Sequence, residues 1–159
     1  MKQHISFEFS APRNPEETAR LLKVHKKLKV FSPEFFSVTY VAGGSTKEGT
    51  KHAVLNIQKL GSHVAPHLSF GGDKPEKIDA LLREYQKAGV KRVVALRGDM
   101  PSGQITKMTF ARELIEFIRN STGSHFHIDI AAYPEIHPDS PLSLIHISEP
   151  TRLLSISYA

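Results

Sequence analysis

Arg97-Gly98-Asp99 sets a cation, a flexible joint and a carboxylate directly after the apolar run Val93-Val94-Ala95-Leu96. Such a run, introduced by Lys91-Arg92 and ended by Gly98, predicts a strand buried on both faces, as parallel strands covered by helices are. The triplet then falls at the carboxyl end of that strand, where parallel α/β folds place their ligands. The position recurs along the chain, because Glu8, Tyr40, His67, Tyr133 and Glu135 each stand at or just past the end of another short apolar segment. A turn holding a solvated Arg–Asp pair accounts for one such place. It does not account for polar groups at successive strand ends, which predict an active site on one rim of the fold.

The elements that must carry these residues repeat. Ile5–Phe9 reads as a first strand, and Asn14-Pro15-Glu16-Glu17 as a helix start with an Asn cap, proline at the first helical position and acids in the first turn. That helix is expected to turn Leu21, Leu22, Val24, His25 and Leu28 inward and to run to Val30. Phe35–Tyr40 is a second strand, Ala42-Gly43-Gly44-Ser45-Thr46 a loop, and a helix from about Lys47 to Leu60 is closed by Gly61. Val64–Phe70 forms a third strand, followed by a turn at Gly71-Gly72-Asp73 and an amphipathic helix carrying Ile78, Leu81, Leu82 and Tyr85 to Gly89. After the fourth strand come a loop through Gly103, a helix from about Thr106 to Asn120, and a fifth strand at His127–Tyr133. Strand starts spaced by roughly 30 residues are those of βαβ units. They fit an open doubly wound sheet or part of an eight-stranded barrel. No strand is followed by a dinucleotide or phosphate-loop glycine pattern, which weighs against the open nucleotide-binding sheet.

Composition narrows the class. A chain of 159 residues, 40% hydrophobic and 23% charged, without cysteine, is that of a globular domain rather than a disulfide-stapled one. The net charge of +5 does not predict nucleic acid as a partner, since Lys23, Lys26, Lys27 and Lys29 are the one local basic cluster and no aromatic residues interleave with it. Met1-Lys2-Gln3-His4 leads directly into a short segment containing Glu8, unlike a secretory leader, and no apolar run approaches the ~18 residues of a membrane span. The expected compartment is therefore the cytoplasm, with no membrane partner. His125-Phe126-His127 has the spacing of a strand-borne ligand pair but lies at the amino end of its strand, away from the other candidates. No metal is expected.

Five motifs in register carry a resemblance. Ser6-Phe7-Glu8-Phe9, Ser37-Val38-Thr39-Tyr40 with Ala42-Gly43-Gly44-Ser45-Thr46, Ala65-Pro66-His67-Leu68, Ala95-Leu96-Arg97-Gly98-Asp99 and Ala131-Ala132-Tyr133-Pro134-Glu135-Ile136-His137-Pro138 resemble the bacterial methylenetetrahydrofolate reductase family in order and spacing. The resemblance implies an α/β fold, the amino-terminal five-strand portion of a (β/α)8 TIM barrel, with non-covalent FAD at its carboxyl rim. It implies that NADH or NADPH reduces the flavin and that 5,10-methylenetetrahydrofolate then leaves as 5-methyltetrahydrofolate, in an enzyme expected to be a homo-oligomer at full length. By the same resemblance Glu8 is the general acid and Asp99 the carboxylate that holds the folate near the flavin. Thr39, Tyr40, Ala42, His67, Arg97, Gly98, Asp99, Ala111, Tyr133 and His137 match cofactor contacts. With Phe7 and Phe9 beside it, Glu8 is expected to be desolvated and its pKa raised.

The chain departs from the family at Ser10-Ala11, where Phe-Pro is usual and a less rigid first loop is expected, at Val41, where glycine is usual, and at Phe110, where tyrosine is frequent. The barrel pattern is assigned to residues 1–139. Residues 140–159 lack lysine and glycine, and Leu142 to Arg152 resembles translated sequencing adapter, so this stretch is expected to be a non-native tail; its alternation over Leu142–Ser148 also suits an edge strand. A complete barrel takes about 250 residues, so a polypeptide of these residues alone is expected to be inactive. The alternative function is a non-catalytic α/β fragment or partner-binding module that associates through an exposed sheet edge.

Overall fold

The computed structural model describes residues 4–40, 47–70, 73–97 and 111–130. Within them run β1 (Ser6–Phe9), α1 (Pro15–Leu28), β2 (Phe35–Val38), α2 (Lys47–Lys59), β3 (Val64–Leu68), α3 (Pro75–Lys87), β4 (Arg92–Ala95), α4 (Ala111–Thr122) and β5 (His127–Ile130). β2 stops at Val38 and β3 at Leu68, two residues short of their apolar runs, so Thr39 and Tyr40 already belong to the loops beyond the sheet. The expected start of the fourth helix and the expected end of the fifth strand lie outside the described residues. Among the described residues no helix is long and apolar enough to cross a membrane.

All four strand pairs are parallel, and the sheet order β1-β2-β3-β4-β5 repeats the chain order. A doubly wound sheet reverses its strand order at a switch point. This one does not, so right-handed crossovers bring every helix to the same face, as in a barrel wall. Side chains alternate along each strand. Phe7, Phe9, Phe36, Val38, Val64, Leu68, Val93 and Ala95 join the core formed with Leu21, Val54, Ile57, Ile78, Leu82, Leu114 and Ile118 of the helices. The register places Glu8, Ser37, Ala65, His67, Arg92, Val94 and Asp129 on the opposite, open face.

Local chemistry sets the helix ends. Asn14 Oδ1 accepts the Glu17 N–H at 2.8 Å, satisfying a donor that the first turn leaves without a partner, and Pro15 occupies the first helical position. Beyond α2 and α3, Gly61 and Gly89 take φ of +73° and +82°, a conformation that a β-carbon disfavours.

Two expectations are corrected. Strand β4 is buried on its helix face only: Val93 and Ala95 are inaccessible while Val94 is half-buried, because among the described residues no layer covers the other side. The inward stripe of α1 also differs. Val24 is 38% exposed and α1 ends at Leu28 in a short 3-10 turn, Lys29–Phe31, which leaves Val30 and Phe31 exposed.

The side chains that α1 does bury are Leu21 and His25, the latter 1% exposed. The His25 ring centroid lies 4.5 Å from that of Phe36, its Nε2 is 3.0 Å from Ser62 Oγ, and its Nδ1 is buried without a partner. Phe36 is held on its other sides by Phe9 and Phe7, with centroids 5.6 and 6.0 Å away. Burial, and secondarily the charge of Lys29, hold the His25 pKa below its ordinary 6.5. The unfolded chain therefore binds a proton that the folded chain excludes, so stability rises with pH across the window between the lowered pKa and about 6.5, and falls as pH drops through it. Urea denaturation midpoints are expected to decline on acidification through that window, and to decline less steeply in His25→Leu. An unchanged slope in that variant counts against the buried neutral imidazole.

Candidate functional site

The open face becomes polar towards the carboxyl ends of β1 to β3. Glu8 of β1 pairs in register with Ser37 of β2, and Ser37 with Ala65 of β3; His67 lies two residues further on the same face. His67 Nε2 stands 3.2 Å from Glu8 Oε2, and the buried Ser37 hydroxyl donates to the same oxygen at 3.4 Å. An ionised carboxylate offers only lone pairs, so Nε2 carries the hydrogen in this contact. Ala65 between them keeps the middle of the face clear of bulk.

The expected desolvation of Glu8 by Phe7 and Phe9 is not found. Alternation sends both rings to the helix face, where they stack on Phe36, and leaves the Glu8 side chain 49% exposed. The hydrogen bond from His67 is the main influence, and it lowers the Glu8 pKa below its ordinary 4.5; partial burial opposes it, while the charge of His67 and the Ser37 hydroxyl reinforce it. In this arrangement Glu8 is a carboxylate near neutral pH.

Thr39 and Tyr40 follow β2 directly. The Ala11 N–H donates to Thr39 Oγ1 at 3.1 Å and the Thr50 hydroxyl donates to the Thr39 carbonyl at 2.9 Å, so Thr39 ties the first loop and α2 to the end of β2. The same contact answers the Ser10-Ala11 departure, since Ala11 is anchored and 4% exposed. The Tyr40 hydroxyl donates to Asp73 Oδ2 at 3.2 Å, and Lys47 Nζ pairs with that same oxygen. Burial, then the Asp73 charge and hydrogen bond, push the Tyr40 phenol pKa above its ordinary 10.0.

Of the residues expected in the site, the structure brings Glu8 and His67 into contact and sets Thr39 and Tyr40 on the adjoining loop. Arg97 is exposed just beyond β4, and Ala111 opens α4, half-buried. Ala42, Gly98, Asp99, Tyr133, Glu135 and His137 lie outside the described residues, as do Val41 and Phe110. Sequence reasoning gave no role to Ser37, Asp73 or Lys47. Ser37 carried a signal, a hydroxyl inside an apolar strand; Asp73 read only as turn chemistry.

The amino end of the open face is a separate charged assembly. Arg92 Nη1 donates to both carboxylate oxygens of Asp129 at 3.1 Å, Nη2 reaches Glu34 at 3.3 Å, and the guanidinium lies 4.5 Å from the Phe35 ring centroid. His127 pairs with Asp129 at 3.2 Å, and His125 Nε2 sits 3.0 Å from the Val90 carbonyl, so each member of the His-x-His pair has a protein partner. Among the described residues no group of three or more His, Asp or Glu side chains is placed to hold a metal.

The family described as methylenetetrahydrofolate reductase matches residues 1–149 of this chain. The chain is 33% identical over 138 residues to the 5,10-methylenetetrahydrofolate reductase of Escherichia coli (strain K12), covering 86% of this chain and 46% of that protein. It is 35% identical over 136 residues to the enzyme of the same name from Buchnera aphidicola subsp. Acyrthosiphon pisum, with 85% and 46% covered. It is 34% identical over 142 residues to methylenetetrahydrofolate reductase (NADH) 1 of Arabidopsis thaliana, with 85% and 24% covered. The chain spans about half the length of the bacterial relatives it matches.

The Glu8–His67 contact is measurable directly. His67→Leu keeps the bulk and removes the bond that chiefly lowers the carboxyl pKa, so the Glu8 side-chain carbon is expected to titrate at higher pH in carboxylate-detected NMR. A titration unchanged or shifted downward would show that the imidazole does not hold this carboxylate.

Proposed function

We propose, because this chain belongs to the methylenetetrahydrofolate reductase family, that its residues form the amino-terminal part of a cytoplasmic, flavin-dependent enzyme that reduces 5,10-methylenetetrahydrofolate to 5-methyltetrahydrofolate with NADH or NADPH. The observation that carries the reading is the carboxylate of Glu8 held beside His67 on the open face, at the carboxyl ends of parallel strands. In this reading residues 1–139 are barrel and 140–159 a tail. Barrel closure supplies the wall opposite the open face, and the complete enzyme is a homo-oligomer.

The residues present suit FAD. Tyr40, two residues past the end of β2, offers an aromatic ring, and Arg97, exposed just beyond β4, would supply donors for an anionic pyrophosphate. Thr39, Tyr40, His67 and Arg97 would hold the cofactor, together with Ala42, Gly98, Asp99, Ala111, Tyr133 and His137. FAD, when bound, carries the hydride from nicotinamide to folate. The chain's own task is the proton.

Opening the bridging ring of the folate needs a proton on the departing nitrogen, and Glu8 would deliver it. The lowered pKa of the exposed carboxylate is not the resting state such a donor needs. A ligand lying over the open face removes water from Glu8 and strengthens the one influence already pushing its pKa upward, so protonation couples to substrate binding. Asp99 would anchor the folate.

A chain completed through a relative's remaining strands and carrying Glu8→Gln is expected to keep flavin reduction by nicotinamide within about twofold while folate reduction falls at least ~100-fold, the scale of a lost general acid. Stopped-flow measurement separates the halves, and equal losses in both would make Glu8 structural.

Among the described residues β1 and β5 are the sheet edges, with Ile5, Val30, Phe31 and Ile130 exposed. A polypeptide of these 159 residues is therefore expected to self-associate, to lose FAD during gel filtration and to show no folate turnover. A monodisperse, active protein would contradict this.

A further inference from the structure

Asp73 has no part in the reading above, yet it joins three elements. It follows β3, its N–H donates to the Phe70 carbonyl at 2.6 Å, and Phe70 is itself 4% exposed with its ring edge-on to Phe117. The Asp73 side chain is 11% exposed. Its Oδ2 accepts from Tyr40, two residues past the end of β2, and pairs with Lys47, the first residue of α2. A lysine at a helix N-terminus opposes the helix dipole, so Lys47 gains from an anion placed there. One carboxylate oxygen thus bridges both sides of segment 41–46.

The consequence falls on Tyr40. A phenol has one hydrogen to donate, and it is committed to Asp73. What Tyr40 retains for a ligand is the part of its ring that is not packed against the core, held by the bond at its far end. A flat heteroaromatic group suits that surface; a ligand seeking a hydroxyl donor does not.

We propose that Asp73 is a positioning residue for the cofactor site, fixing the Tyr40 ring as a stacking surface for the flavin by engaging its hydroxyl and anchoring it to Lys47. The proposal rests on the reading of Tyr40 as a flavin contact. Asp73 itself lies outside the five motifs, in the turn that follows β3.

The test uses this chain completed through a relative's remaining strands, with [13Cζ]tyrosine labelling, FAD as the probe, and NMR and flavin fluorescence polarisation as readouts. In Asp73→Ala the Tyr40 ionisation midpoint is expected to fall by roughly one pH unit or more, and FAD affinity to fall about tenfold as the ring loses its fixed orientation. Asp73→Asn, which keeps an acceptor for the phenol, is expected to lower the ionisation midpoint while retaining most of the FAD affinity. In a Tyr40→Phe background, Asp73→Ala should cost no further affinity, since the bond it removes is already absent. Equal losses in both backgrounds would overturn positioning through Tyr40. An unshifted Tyr40 ionisation in Asp73→Ala would overturn the contact itself and leave the flavin reading standing. A shifted ionisation in a chain that binds no FAD would overturn the flavin reading, and the positioning role with it.

Discussion

Sequential parallel pairing is the constraint from which the other features follow. When each strand docks beside its predecessor through a right-handed crossover, every helix must arrive on the same face. Period-two alternation then divides each short strand between two environments. In β1 the even-numbered Glu8 and the odd-numbered Phe7 and Phe9 are neighbours in sequence and strangers in space. The phenylalanines fill a helix-covered core around Phe36, and the glutamate stands over the open side. A one-residue slip in the β1–β2 register would exchange core and site together.

The same division explains how far the sequence could be read. The Asn14 cap, the glycine helix stops and the apolar strands are local signals, and they placed nine elements close to where the structure has them. The strand phase of Glu8 was legible too, but its flanking aromatics were mistaken for its environment. The partners of Glu8 were not legible, because Ser37 and His67 come from strands 29 and 59 residues away in the chain (37 − 8 and 67 − 8), and parallel register leaves no turn signature linking them. Of the neighbours Val24 and His25, both expected inward, only His25 is buried: adjacent helix positions differ by about 100°, and which of two neighbours turns inward depends on the angle at which α1 meets the sheet.

The two ends of the open face use charge differently. At the amino end Arg92 Nη1 donates to both oxygens of Asp129, Nη2 reaches Glu34 and the guanidinium covers Phe35, so its charge is matched within the protein. Towards the carboxyl end Glu8 keeps about half its side-chain surface in solvent and accepts from an imidazole. The first arrangement holds strands together across the sheet; the second leaves a group able to change protonation when its surroundings change. In barrels the amino end is the side associated with stability and the carboxyl end with chemistry, and here that separation is written in which charges are internally satisfied.

The strand order bears on how the chain is made. Among the described residues each strand after β1 pairs with the strand synthesised just before it. Contacts of such short sequence range carry a small loop-closure cost. A nascent chain can therefore add one βα unit at a time to an existing edge as it leaves the ribosome, where elongation at roughly 5–20 residues per second gives each unit of about 30 residues seconds to dock. The growing edge then serves as the template for the next strand, and the vulnerable surface at any moment is confined to the unit most recently released.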